Sequence, residues 1–109
     1  MFVSADHIAS RLPITLPEGP ITAFCRAHHV RELALFGSVL REDFSAQSDV
    51  DVLVDLDPAG EHTLFDLVDM QDELSAIFQR KVDVVTKAGV SRSRIAREIL
   101  STCRVVYAQ

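Results

Sequence analysis

An alternation of valine with aspartate near the middle of the chain restricts the fold more than any other feature. Val50, Val52 and Val54 occupy every second position, and Asp49 and Asp51 flank the first of them. Because successive side chains of a strand point to opposite faces, the pattern predicts a β-strand with its valines in the core and both carboxylates on the other face. At about 3.3 Å per residue, the Cα atoms of the two aspartates would lie roughly 6.5–7 Å apart, so both carboxylates would reach one or two divalent ions.

The rest of the chain alternates between helical and strand periodicity. Helices are predicted over 4–11, 20–29, 62–78 and 92–100, and further strands over 33–36, 82–85 and 104–107. Thr63 and Asp66 are expected to form a capping box at the start of the third helix. The order α-β-(α)-β-α-β-α-β predicts a small two-layer domain of the α/β (α+β) class.

The last predicted helix carries a basic stretch. Ser91 is expected to cap this helix. The helix is predicted to turn Ile95, Ile99 and Leu100 toward the core. Its three arginines are Arg92, Arg94 and Arg97. They are interpreted either as a solvated face or as a contact with an acidic partner surface or a triphosphate.

Length and charge limit what the chain can do. Its 109 residues are predicted to form a single domain, with 1–19 as an N-terminal extension and 20–107 as the core. The net charge is −5, and residues 42–79 hold eleven acids and no Lys or Arg. We therefore expect no direct nucleic-acid binding, because phosphate contacts require clustered basic residues.

Several features favour a cytoplasmic protein with reduced thiols and no membrane contact. No secretory signal is visible, and no apolar run approaches the roughly 20 residues of a membrane span. Cys25 and Cys103 show no metal-type spacing and are interpreted as small core residues. His28 and His29 are interpreted as a helix end.

Four further residues are candidates for chemistry. Asp83 lies in a second strand pattern, and on a neighbouring strand it would complete three facing carboxylates, which repel unless a cation such as Mg²⁺ is bound. Gly37 and Ser38 follow the first strand. A glycine there permits a tight turn and a close approach to a ligand, and the backbone N–H groups and the serine hydroxyl would contact phosphates. Arg41, one turn later, would add a charged contact to a phosphate.

The spacing of these residues excludes two common motifs and matches a third. Leu53 and Val54 stand where an EF-hand needs a ligand and a glycine, and no P-loop Gly-Lys-Ser/Thr occurs. Gly37-Ser38, ten residues and Asp49-Val50-Asp51 form the pattern G-S-x10-D-x-D. The segments LALFGSVLREDFSAQSDVDVLVDL and KVDVVT resemble the minimal nucleotidyltransferases (MNT type) of the DNA polymerase beta superfamily, over roughly residues 20–107.

The resemblance implies a nucleotidyltransferase fold, with a small mixed β-sheet packed against helices, and a role for each motif residue. Gly37 and Ser38 would bind the nucleotide triphosphate, and Arg41 would contact a phosphate. The catalytic residues would be Asp49, Asp51 and Asp83. They would bind two Mg²⁺ ions. Asp83 would also help to activate the attacking hydroxyl.

The resemblance also implies an activity and a partner. Many small members of this type are antitoxins that transfer AMP from ATP to a tyrosine of a HEPN-domain ribonuclease toxin, sometimes in an assembly with it. A non-catalytic antitoxin that neutralises its partner by contact is the alternative. A nucleotidyltransferase acting on a small molecule or an RNA end is a third hypothesis.

Overall fold

A four-stranded mixed sheet forms the centre of the computed structural model, which describes residues 14–41, 44–45, 47–60 and 62–109. In chain order the strands are β1 (Val30–Phe36), β2 (Val50–Leu56), β3 (Val82–Thr86) and β4 (Arg104–Ala108). Their spatial order is β3-β2-β1-β4. Strand β1 is antiparallel to β2 and β4, whereas β2 and β3 are parallel. The predicted mixed sheet and all four predicted strands are confirmed.

Helices cover both faces of the sheet. They are α1 (Glu18–Ala27), α2 (Leu64–Phe78), α3 (Lys87–Val90) and α4 (Ala96–Thr102), and Gly37–Leu40 forms a 3₁₀ turn after β1. Helices α1 and α2 correspond to predicted helices, and the helix predicted over 4–11 lies outside the described residues. Within the described ranges, no helix combines the length and apolar character that crossing a bilayer requires.

The main core lies between the sheet and helices α1 and α2. Val50, Val52 and Val54 are fully buried there, as their alternation predicts. Helix α2 contributes Met70 and Leu74 to the same cluster. The side chains of Asp51 and the other residues between the valines therefore point to the opposite face of the sheet.

A smaller core covers part of that opposite face. Ala34 and Leu53 of the sheet pack there against Val90 of α3 and Ile99 of α4. Cys103 is partly buried beside this cluster, and Cys25 is fully buried in the main core, so both cysteines pack as predicted. Burial raises the pKa of the Cys25 thiol to about 12.

The single helix predicted over 92–100 is wrong. The chain instead forms the short helices α3 and α4 with a turn between them. Ser91 does not cap a following helix, because its hydroxyl donates to the Ala88 carbonyl at 2.9 Å. The Ser93 hydroxyl accepts from the Ile95 backbone N–H at 3.2 Å, and such local bonds compete with helix formation.

The later start of α4 also changes its inward positions. Only Ile99 is buried there, whereas Ile95 is 56% exposed and Leu100 is 38% exposed. Of the three arginines predicted on this helix, Arg97 lies on α4, while Arg92 and Arg94 lie in the turn before it. All three are exposed.

The ends of α1 and α2 follow the local sequence signals. The residue after α1 is His28, and His29 adopts a left-handed conformation with φ +56°, so the histidine pair does end a helix. The His28 imidazole contacts the Glu73 carboxylate of α2. The predicted capping box is present, because Thr63 accepts from the Asp66 backbone N–H and Asp66 accepts from that of Thr63.

The capping box gives a test of local stability. The substitution Thr63→Ala removes the hydroxyl that accepts at 3.3 Å from the Asp66 backbone N–H. We expect it to lower the free energy of unfolding by about 1 kcal/mol, measured by urea denaturation. Thr22→Ala, within α1, is the control, and an equal loss in both variants would contradict the role of the cap.

Candidate active site

Asp51 and Asp83 lie side by side on neighbouring strands. In the parallel pairing of β2 with β3, Asp51 is the register partner of Asp83. Register partners on adjacent strands project from the same face, and the strands lie about 4.8 Å apart. The strands of Asp51 and Asp83 are therefore neighbours, which is the condition under which the sequence predicts that Asp83 lies beside Asp51.

The backbone of Gly37 lies directly against Asp51 of this pair. Strand β1 ends at Phe36, the register partner of Asp51, and Gly37 follows with φ +76°. A Cβ atom added to Gly37 would lie only 2.3 Å from Oδ2 of Asp51. The absence of a side chain thus lets the turn after β1 pack against the Asp51 carboxylate. Both the positive φ at position 37 and the close contact with Asp51 require glycine.

Ser38 and Asp49 connect the turn to the start of β2. The Ser38 hydroxyl donates to the Asp49 carbonyl oxygen at 3.3 Å. Asp49 itself precedes the strand, which begins at Val50, so its predicted place on the strand is wrong by one residue. Its side chain is 38% exposed, with Oδ2 3.7 Å from Nζ of Lys81.

The three predicted carboxylates differ in their surroundings. Asp51 and Asp83 form a pair, whereas Asp49 lies at the edge beside Lys81. In the part of the chain that the structure describes, no three His, Cys, Asp or Glu side chains are close enough together to hold a metal ion. The aspartate pair still offers the hard oxygen donors that Mg²⁺ prefers.

The electrostatics of Asp51 show that these charges interact. Burial raises the pKa of its carboxyl group above the ordinary 3.8, and the carboxylates of Asp83 and Asp49 raise it further. The Arg41 guanidinium acts in the opposite direction and lowers this pKa. A concentration of negative charge that resists ionisation is the environment that a cation would relieve.

The raised pKa of Asp51 predicts a pH dependence of stability. The folded chain holds this proton more tightly than the unfolded chain, so the free energy of unfolding falls as the pH rises from about 3.8 through the folded pKa. We expect Asp51→Asn to raise Tm by a few degrees at pH 7 in EDTA and to flatten the dependence of Tm on pH above 4. Thermal melts of both proteins across this range test it, and a lower Tm for the variant at pH 7 would contradict it.

Two adjoining clefts open beside the aspartate pair. One, of about 550 Å³, has Asp51 in its wall together with Thr86 of β3. The other, of about 460 Å³, is lined by Gly37 and Arg41. Phe36, Ile95 and Ile99 line both clefts. Each volume falls in the range of small-molecule sites, and together the clefts connect Asp51 to Gly37 and Arg41.

Sequence reasoning missed some of the residues that line these clefts. Phe36 was predicted only as the end of a buried strand, Thr86 lay just outside the strand predicted over 82–85, and Ile95 was predicted to face inward. Their place in the clefts follows from the packing of α3 and α4 on the sheet, for which periodicity gives no signal. The register of β1 with β2, which brings Phe36 beside Asp51, also depends on the tertiary fold.

Comparisons with known proteins agree with this geometry. The family model described as "Nucleotidyltransferase domain" matches residues 21–106, which include every predicted site residue. The chain belongs to the nucleotidyltransferase domain family. One relative of this nucleotidyltransferase is the protein adenylyltransferase MntA of Thermococcus cleftensis, which is 36% identical over 78 residues, or 72% of this chain and 74% of that protein.

Solved structures share the fold of this nucleotidyltransferase. A crystal structure of a toxin–antitoxin with AMP-PNP matches with a TM-score of 0.65 at 18% identity, covering 86% of this chain and 75% of that chain. A crystal structure of a mutant of the toxin–antitoxin MntA–HpeT matches with a TM-score of 0.63 at 16% identity and covers the same shares of the two chains. The predicted nucleotidyltransferase fold is thereby confirmed.

Proposed function

We propose that this nucleotidyltransferase transfers AMP from MgATP to a tyrosine hydroxyl of a HEPN-domain ribonuclease toxin and so acts as its antitoxin in the cytoplasm. The observation that carries the proposal is the pairing of Asp51 with Asp83, with the Gly37 backbone packed directly against Asp51. The names of its relatives support it, since one is a protein adenylyltransferase and two structural neighbours are toxin–antitoxin proteins.

Asp51 and Asp83 are proposed to hold Mg²⁺, and Asp49 is proposed to join the ligand set by turning from Lys81 toward the pair when the ion binds. Their carboxylate oxygens are the donors that this ion prefers, and the raised pKa of Asp51 reflects its burial and then the negative charges of Asp83 and Asp49. When bound, Mg²⁺ lowers the pKa of a coordinated hydroxyl and neutralises the charge of the triphosphate.

The other predicted residues are proposed to position the triphosphate. Gly37 and Arg41 line the same cleft, where the Arg41 guanidinium adds a positive charge for a phosphate. Ser38 holds the turn to Asp49 through its hydroxyl bond to the Asp49 carbonyl. We propose that it also contacts a phosphate through its backbone N–H group.

The proposed reaction is a single displacement. The acceptor oxygen attacks the α-phosphorus of ATP, and the bond from that phosphorus to the oxygen bridging it to the β-phosphate breaks. Pyrophosphate leaves with the electron pair of that bond. Asp83 orients the acceptor hydroxyl and takes its proton, which makes the oxygen a better nucleophile.

A labelling experiment tests the proposal. The purified chain is mixed with Mg²⁺, ATP labelled at the α-phosphate and the toxin encoded by the adjacent reading frame. We expect label on the toxin, none with γ-labelled ATP, none in EDTA, and loss of the label when the acceptor tyrosine is changed to Phe. Asp55→Asn is the matched control, because Asp55 lies at the other end of β2 and contacts Arg31.

Two results would overturn the proposal. Neutralisation of the toxin with no label on it would assign the chain to the non-catalytic antitoxins. Label that appears only on a small molecule or an RNA end would assign it to a different acceptor class.

A further inference from the structure

An apolar patch lies exposed on the first turns of α2. Leu64 is 80% exposed, Phe65 is 82% exposed and Val68 is 56% exposed. The three residues, here called the α2 patch, lie on neighbouring positions of the helix surface because Val68 is four residues after Leu64 and three after Phe65. A contiguous exposed patch of large apolar side chains is typical of an interaction site.

Acidic side chains extend the α2 patch along the helix. Asp69 follows Phe65 by four residues and Asp72 follows Val68 by four, so they continue the same outward surface, and both are exposed. No Lys or Arg occurs anywhere in residues 42–79. The surface therefore combines an apolar centre with a negative border.

The α2 patch lies far from the clefts of the candidate active site. Helix α2 begins after the C-terminal end of β2, whereas Asp51 stands at the beginning of that strand. Seven residues of β2 span about 20 Å. Helix α2 also packs on the face of the sheet opposite to Asp51. A protein bound at the patch would therefore leave the clefts open, and its acceptor tyrosine would reach them on a segment that extends beyond the docked surface.

We propose that the α2 patch is the docking surface for the partner protein, which presents apolar side chains bordered by Lys and Arg. A second copy of this chain fits poorly, because an identical α2 surface carries no Lys or Arg to pair with Asp69 and Asp72. A basic partner surface instead gains from the same charges. This inference rests on the proposed function, because the partner is taken to be the toxin that is modified at the Asp51 site.

Binding measured without nucleotide tests this docking surface. The affinity of the full chain for the unmodified toxin is measured by calorimetry in EDTA. We expect Phe65→Ser to weaken binding by about 30-fold or more, as for a central interface aromatic residue. We expect Asp69→Lys combined with Asp72→Lys to slow association and reduce its dependence on salt. Ala76→Ser, at an exposed position later in α2, is the matched control and should change the affinity less than about two-fold.

Three results would overturn the docking surface. One is an unchanged affinity of the Phe65→Ser variant for the toxin, and another is a wild-type chain that does not bind the toxin. The third is a wild-type chain that sediments as a dimer and becomes a monomer in Phe65→Ser, which would assign the patch to a second copy.

Labelling separates failure of this inference from failure of the proposed function. With docking through the patch, Phe65→Ser raises the KM for toxin and keeps kcat, since the clefts are unchanged. If the toxin binds through the patch but is not labelled, the result would contradict AMP transfer and would still support the docking surface. Label transferred by Phe65→Ser with an unchanged KM would reject the docking surface alone.

Discussion

Replacing Asp51 with Asn is expected to slow AMP transfer by about 1,000-fold while the chain stays folded. The side chain keeps its shape but loses the charge that, with its register partner Asp83, would hold the cation. An amide oxygen is a weaker ligand for Mg²⁺ than a carboxylate, and the site becomes less negative. The measurement is the rate of label transfer from α-labelled ATP at saturating MgATP and toxin.

The controls for this result separate lost chemistry from lost structure. Asp55→Asn removes the same charge at the other end of β2 and should keep the rate within about three-fold of wild type. In EDTA, the Asp51→Asn variant should have a Tm equal to or higher than that of the wild type. A lower Tm would indicate that the loss of rate comes from unfolding. A variant that keeps more than about a tenth of the wild-type rate would contradict the role of Asp51.

Gly37→Ala is expected to impair both stability and transfer. The added Cβ would lie 2.3 Å from Oδ2 of Asp51, and φ of +76° is unfavourable for alanine. We expect the free energy of unfolding to fall by about 1–3 kcal/mol and the transfer rate by about 100-fold, because relief of the clash displaces the Asp51 carboxylate or the turn. Urea denaturation and the labelling assay measure the two effects.

Gly19→Ala is the matched control for this substitution. Gly19 lies in the first turn of α1, and a Cβ added there meets nothing within 4 Å. Alanine is the better helix former, so this variant should be as stable as wild type or more stable by up to about 1 kcal/mol. Wild-type stability and activity in Gly37→Ala would contradict the close packing of the turn against Asp51.

The carboxylate pair and the turn were the most predictable parts of the molecule. The period of two in β2 and β3 defines which face each side chain takes, so the orientations of Asp51 and Asp83 followed from single strands. Periodicity does not reveal which strands are neighbours. That expectation came from the G-S-x10-D-x-D pattern and its resemblance to a family, and the parallel register of the two aspartates agrees with it.

The region between β3 and β4 was the least predictable. Its apolar positions fit a helix over 92–100, but Thr86 caps α3 five residues before Ser91, the expected cap, by accepting from the Gly89 backbone N–H. Ser93 then bonds to the backbone of Ile95 and delays the next helix. Such short-range bonds have no periodic signature, and they place Ile95 at the clefts rather than in the core.

The burial of Cys25 makes it an internal reporter of core opening. Its thiol is inaccessible in the main core, and its pKa of about 12 leaves almost none of the reactive thiolate at neutral pH. An alkylating reagent can modify Cys25 only when α1 separates from the sheet, whereas the partly exposed Cys103 can react without such opening. The ratio of the two modification rates would therefore measure how often α1 detaches, with no engineered probe.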